Sequence, residues 1–150
     1  MALDEALRRE LLELAHHPGQ SSAAERLWSI LDDYEVWPGR RLVGADGERA
    51  AWLIVQLADA DLQRRALEHL EVAVDNNDAH PSHYACLVDR VRMAEGRPQV
   101  FGSQFVSSGD DAVTPWPIED PVGLDERRRL YGLEPLAVQA RRMQVRLHTR

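Results

Sequence analysis

The stretch Ala50-Ala51-Trp52-Leu53-Ile54-Val55-Gln56-Leu57-Ala58-Asp59-Ala60-Asp61 decides the fold. It is the most apolar run in the chain. Ala50, Leu53, Ile54, Leu57 and Ala58 repeat at helical spacing, and Trp52 and Val55 fill the opposite side. A helix that is apolar nearly all round is a buried helix. The run is too short to span a membrane and it ends in aspartates. It therefore reads as the central core helix of a small domain, with Leu57 buried on its stripe. Gln56 and Asp59 are polar exceptions that need partners if they are buried.

Amphipathic patterns flank this helix on both sides. Leu3, Leu7, Leu11 and Leu14 mark a first helix over 3–15, stopped by Pro18-Gly19. Ser22 with Glu25 has the form of a capping box for a second, which Trp37-Pro38-Gly39 ends in a turn. Residues 41–44 read as a short link, extended in part, and Asp46 is placed to cap the central helix. Leu62, Ala66, Leu70 and Ala73 form the stripe of a fourth helix. Pro81 opens a fifth, with Tyr84, Leu87, Val88 and Val91 inward. From Gln99 the pattern changes. Val100, Phe101, Phe105 and Val106, the turn cluster Ser107-Ser108-Gly109-Asp110, and Ala112-Val113-Thr114 read as one hairpin within 99–114. The prolines of 116–121 forbid regular structure. Leu124–Tyr131 is a short helix stopped by Gly132, and Pro135 opens a last helix with Leu136, Ala140, Met143 and Leu147 on one face. The fold class expected is mainly α: one domain over 1–150, six or seven helices, and a small hairpin.

Composition narrows the partners. The chain of 150 residues is long enough for a core without disulfides or metal staples. Its net charge of -7 argues against nucleic acid, whose phosphates require clustered positive charge. Every cation is Arg, as expected from a GC-rich bacterial genome. One cysteine, Cys86, cannot form an internal disulfide, and the acidic start Met1-Ala2-Leu3-Asp4-Glu5 does not have the form of a secretory signal. The expected location is the cytoplasm, away from membranes.

Several scattered motifs form a set: Trp37-Pro38-Gly39; Leu42-Val43-Gly44 with Asp46-Gly47; Ala51-Trp52-Leu53-Ile54-Val55-Gln56; Asp89-Arg90-Val91 with Glu95-Gly96-Arg97-Pro98-Gln99; Phe101-Gly102-Ser103-Gln104; Pro117-Ile118-Glu119-Asp120-Pro121; and Asp125 with Arg127-Arg128 before Gly132-Leu133. In this order, over roughly residues 25 to 138, the set resembles a small bacterial family, domain of unknown function six-six-two-four. The resemblance implies no activity. It does imply departures: the family's central helix reads Gln-His-Ala-Asp where this chain has Gln56-Leu57-Ala58-Asp59, and the Phe101 and Ser103 positions are commonly Tyr and Thr. The Leu at 57 thus suggests a kept scaffold with altered or absent chemistry.

The chemistry-bearing residues give no legible catalytic set. His80 and His83, three apart with Asp78 nearby, have a spacing that suits two metal ligands, but too few donors accompany them; no metal and no cofactor are expected. His16-His17 suits a helix end. Cys86 on a helix reads as an inert core residue, and Gly102-Ser103-Gln104 is not a nucleophile elbow. Arg90 and Arg127 read as ties between the Pro117–Pro121 loop and the helices. The competing reading is a polar pocket of Gln56, Asp59, Arg90, Gln104 and Asp120 for a small polar ligand. Trp116, Phe101 and Phe105 offer a protein partner an apolar surface if exposed. Two functions stay open. One is a non-catalytic accessory subunit or small binding protein. The other is a small enzyme, of biosynthesis or secondary metabolism, using Asp59 or Asp120 as acid or base.

Overall fold

The structure, a computed structural model, describes residues 2–107, 109–110 and 112–148, with side chains through Gln144. Among these residues the fold is mainly α, as the periodicity predicts. The elements in order are α1 Glu5–Leu14, α2 Ser21–Tyr34, α3 Arg40–Gln56, α4 Ala60–Asp75, α5 Pro81–Ala94, β1 Phe105–Ser107, β2 Val113–Pro115, α6 Leu124–Leu130 and α7 Leu136–His148. Their contacts group into two compact units, Met1–Tyr84 and Ala85–Arg150, with the boundary inside α5. None of the described helices is long and apolar enough to cross a membrane.

In the first unit α3 is central and packs against α1, α2 and α4. Leu7 and Leu11 of α1, Leu27, Ile30 and Leu31 of α2, and Leu62, Ala66 and Leu70 of α4 are buried with Val43, Ala50, Ala51, Ile54 and Val55 of α3. Each large aliphatic side chain withdrawn from water in this way contributes about 1.5–3 kcal/mol. The N-terminus of α1 is capped by Asp4, which accepts from the Leu7 N–H at 3.0 Å. α2 starts at Ser21 behind Gln20, which makes no side-chain cap bond, so Ser22 stands inside the first turn and the expected Ser22–Glu25 box has no N-cap residue to build on.

Two expectations about α3 are corrected. The helix begins at Arg40, so residues 41–43 are helical and not an extended link. The polar turn after α4 makes this early start stable. The Asp78 carbonyl accepts from the Arg40 N–H and its carboxylate from the Arg41 N–H, both at 2.8 Å, which satisfies amides otherwise orphaned at a helix start. A Cβ at Gly39 would run into Asp78, so the close approach requires glycine there. The helix then kinks at Gly44, whose φ of 76° is open to a residue without a Cβ. Just past the kink, Asp46 accepts from the Gly47 N–H at 2.8 Å and from Arg8 Nε of α1 at 2.9 Å.

The second correction is Leu57. The helix ends at Gln56, and Leu57 leaves helical geometry at φ -99°, ψ 2° with 55% of its surface exposed. The apolar stripe runs on in the sequence, but the backbone turns away before reaching it. Buried Gln63 of α4 stops the helix by donating its amide to the Val55 and Gln56 carbonyls, each at 3.2 Å. Asp59 then caps α4, accepting from the Leu62 N–H at 3.0 Å.

In the second unit, β1 and β2 pair antiparallel with Phe105 opposite Pro115 and Ser107 opposite Val113. β2 and α6 both pack on α7. The hairpin is shorter than the sequence predicts. Val100 and Phe101 are irregular because their amides bond to a side chain, Asp89, and not to a neighbouring strand. Ser108 of the expected turn and the side chain of Leu147 lie outside the described residues. Phe101 is buried and packs on Tyr131 with ring centroids 4.7 Å apart, so it belongs to the core and not to an exposed surface.

Candidate functional site

The first unit builds a polar cluster on the face of α3. Glu48 and Trp52 are four residues apart and therefore project from one side of the helix. Glu48 is buried, and a buried carboxylate needs compensation. Trp37, drawn into the core by the turn after α2, donates its indole N–H to Glu48 Oε2 at 2.9 Å. His83, in the first turn of α5, brings Nδ1 to 3.1 Å from Glu48 Oε1 and 3.3 Å from Oε2. The His83 ring stacks on Trp52 with centroids 4.7 Å apart and planes 9° from parallel. Its side chain remains 17% exposed, and its Nε2 has no hydrogen-bond partner among the described residues. The His80 ring lies 5.6 Å away, centroid to centroid. His80 Nδ1 accepts from the Ser82 N–H at 3.1 Å and contacts Ser82 Oγ at 2.7 Å. Burial first, and the adjacent His83 second, hold the His80 pKa below the ordinary imidazole range. Asp78 serves the start of α3, and among the described residues no three His, Cys, Asp or Glu side chains are grouped to hold a metal.

Trp37 has a second neighbourhood. A groove of about 360 Å³ opens along the end of α2, the turn into α3 and the outer face of α4. Val36, Trp37, Leu42, Val72 and Ala73 form its apolar wall; Tyr34, His69, Arg41 and Asn76 form much of its polar edge. Val36 and Val72 are about half exposed, at 47% and 57%.

In the second unit the polar side chains are spent on backbone. Asp89 is fully buried and accepts four hydrogen bonds: from the Val100 and Phe101 amides at 2.8 and 3.0 Å, and from the Ser103 amide and hydroxyl at 3.0 and 2.7 Å. Gln99 donates to the Gln104 and Trp116 carbonyls and accepts from the Gln104 N–H. Arg128, also fully buried, donates to the carbonyls of Phe101, Gly102 and Glu134 and to Gln139 Oε1. Arg127 donates to the carbonyls of Val100, Asp120 and Val122. These groups fasten an irregular segment that has no ladder of its own to satisfy its amides and carbonyls. Burial pushes the Cys86 thiol up, against a hydrogen bond with Ser103 that pulls it down.

The residues expected to form a pocket are distributed as follows. Gln56 and Asp59 belong to the first unit, half-buried and exposed respectively. Arg90, Gln104 and Asp120 belong to the second. Arg90 is half-buried, and burial lowers its pKa. Gln104 is part of the Asp89 network, its amide donating to Ser103 Oγ at 3.1 Å. Asp120 is exposed, turns the chain by accepting from the Val122 N–H at 3.1 Å, and borders an open depression with Val100, Glu119 and Arg127. Arg127 holds the proline loop as expected, and Arg92 adds an ion pair with Glu119 at 2.8 Å. Trp116 and Phe105 are half-buried, with the Trp116 indole donating to the Arg97 carbonyl at 2.8 Å. The sequence reading missed Glu48 as a partner of His83. No local signal marks it, because Asp46 and Arg49 stand beside it on the same helix and its partners lie outside that helix.

Residues 10–147 match a family model described as "Family of unknown function (DUF6624)". The chain belongs to this family. The matched residues include those of the Glu48–His83 cluster, the groove beside Trp37 and the Asp89 network. No curated protein and no solved structure matches the chain.

Proposed function

We propose that the protein is a small, non-catalytic binding protein that takes a compact amphipathic molecule in the groove beside Trp37. The observation that carries this reading is the groove itself. Its volume of about 360 Å³ falls in the range of small-molecule sites, and it has the apolar wall and polar edge such sites share. Val36 and Val72 leave apolar surface in water that a ligand would cover. The carboxylates first considered for chemistry also support binding over turnover. Asp59 is a helix cap and Asp120 forms a turn, and each is exposed. Both carboxylates are already engaged with backbone amides. The lone Cys86 and the acidic composition suit a protein of the bacterial cytoplasm, and any protein partner docking on Trp116 and Phe105 would do so without Phe101.

The test uses 8-anilinonaphthalene-1-sulfonate, an aromatic anion of suitable size. Its fluorescence should rise saturably with the native protein. In Val72→Asp, which places a charge on the apolar wall at an exposed position, the rise should be lost while near-UV circular dichroism is unchanged. Equal binding by both proteins would overturn the assignment.

A further inference from the structure

We propose that Glu48 and His83 form a proton-accepting site, in which Glu48 fixes the imidazole so that Nε2 presents its lone pair to a ligand that carries a hydroxyl or a water. This goes beyond ligand binding in the groove and shares only Trp37 with it. The argument begins with tautomers. A neutral imidazole has one N–H, and the bond made by one nitrogen decides the role of the other. The Glu48 carboxylate only accepts, so His83 Nδ1 at 3.1 Å must carry the hydrogen. Nε2 is left as an acceptor, with no protein donor among the described residues.

The neighbouring ring shows the opposite arrangement. A backbone N–H, that of Ser82, points at His80 Nδ1, so His80 carries its hydrogen on Nε2. Two adjacent imidazoles, 5.6 Å apart, thus offer opposite hydrogen-bonding character at the same atom. His83 alone has a carboxylate behind it and an orientation fixed by the stack on Trp52, which suit it to accept a hydrogen bond or a proton from a bound ligand. Trp37 fixes the carboxylate in turn through its indole N–H. When a hydroxyl or water gives up a proton, the O–H bond breaks and the proton passes to Nε2. The resulting imidazolium then faces Glu48, and the proton returns from Nε2 to the bound oxygen or passes to solvent.

The experiment reads tautomer and reactivity on the full chain. Nitrogen-15 NMR of the native protein on the alkaline side of the imidazole range should show His83 protonated at Nδ1 and His80 at Nε2. Diethyl pyrocarbonate should then acylate His83 at Nε2. Glu48→Gln removes the charge and turns one of the two acceptor oxygens into an NH2 donor, so His83 loses its carboxylate partner and acylation at Nε2 should slow several-fold. The exposed His17, just past the end of α1, serves as the internal control. His83 found with its hydrogen on Nε2, or acylated equally fast in both proteins, would overturn the proposal. The tautomer is read on the unaltered chain, so a Glu48→Gln protein that fails to fold leaves that arm decisive.

Discussion

Leu57 carries its side chain into solvent at the point where α3 stops. An imidazole placed there would stay largely in water, with Gly19 as a neighbour that has no side chain to displace. Leu57→His should therefore fold like the parent, with a change within about 0.5 kcal/mol, as exposed substitutions usually show. Chemical denaturation measures this directly, and a loss of several times that size would mean that Leu57 packs in solution. The same residue shows the limit of periodicity as a guide. Position 57 has the right phase to be buried, but phase matters only as long as the helix continues. The amide of Gln63, a residue seven positions beyond Gln56, ends it. Glu48 was illegible for a related reason. Nothing local distinguishes a carboxylate that will meet Trp37 and His83 from one that will meet water, because both partners are distant in sequence.

The helices themselves were readable as elements because their stripes, caps and stops are local. Asp59 stands just ahead of the stripe Leu62, Ala66, Leu70 and Ala73, and in the structure it caps α4. Asp59→Ala should cost about 1 kcal/mol of stability, the usual worth of such a cap, and Asp59→Asn much less. Equal losses for both in a denaturation series would point to a role for the charge and not the cap. Within the hairpin expected over 99–114, residues 99–104 carry only an isolated bridge, between Gln99 and Ile118. Val100 and Phe101 have strand-forming side chains, but propensity gives way where a buried carboxylate offers the amides better partners. The hairpin survives only where no such competitor exists, at β1 and β2.

For the whole molecule, the pH dependence of stability has a contribution of known sign at His80. Its folded pKa lies below the ordinary value of 6.5, through burial first and His83 second. Glu48 opposes that shift and Arg40 adds to it. The unfolded chain therefore binds this proton first as pH falls. The stability contributed is complete above about pH 6.5 and is lost as pH drops through the lowered folded value. Melting temperatures between about pH 7.5 and 5 should fall less steeply in His80→Gln than in the parent, by a small margin because the ring is largely exposed. An identical slope would show that the two states bind the proton alike. The Asp89 network has a consequence of another kind. Amides outside helices and sheets ordinarily trade their hydrogens with solvent quickly. Those of Gln99, Val100, Phe101, Ser103 and Gln104 are each held, by the Pro117 carbonyl, the Asp89 carboxylate or the Gln99 side chain. Deuterium should therefore enter this irregular stretch at the pace of a helix interior, and Asp89→Ala should bring the Val100, Phe101 and Ser103 amides to the pace of an open loop.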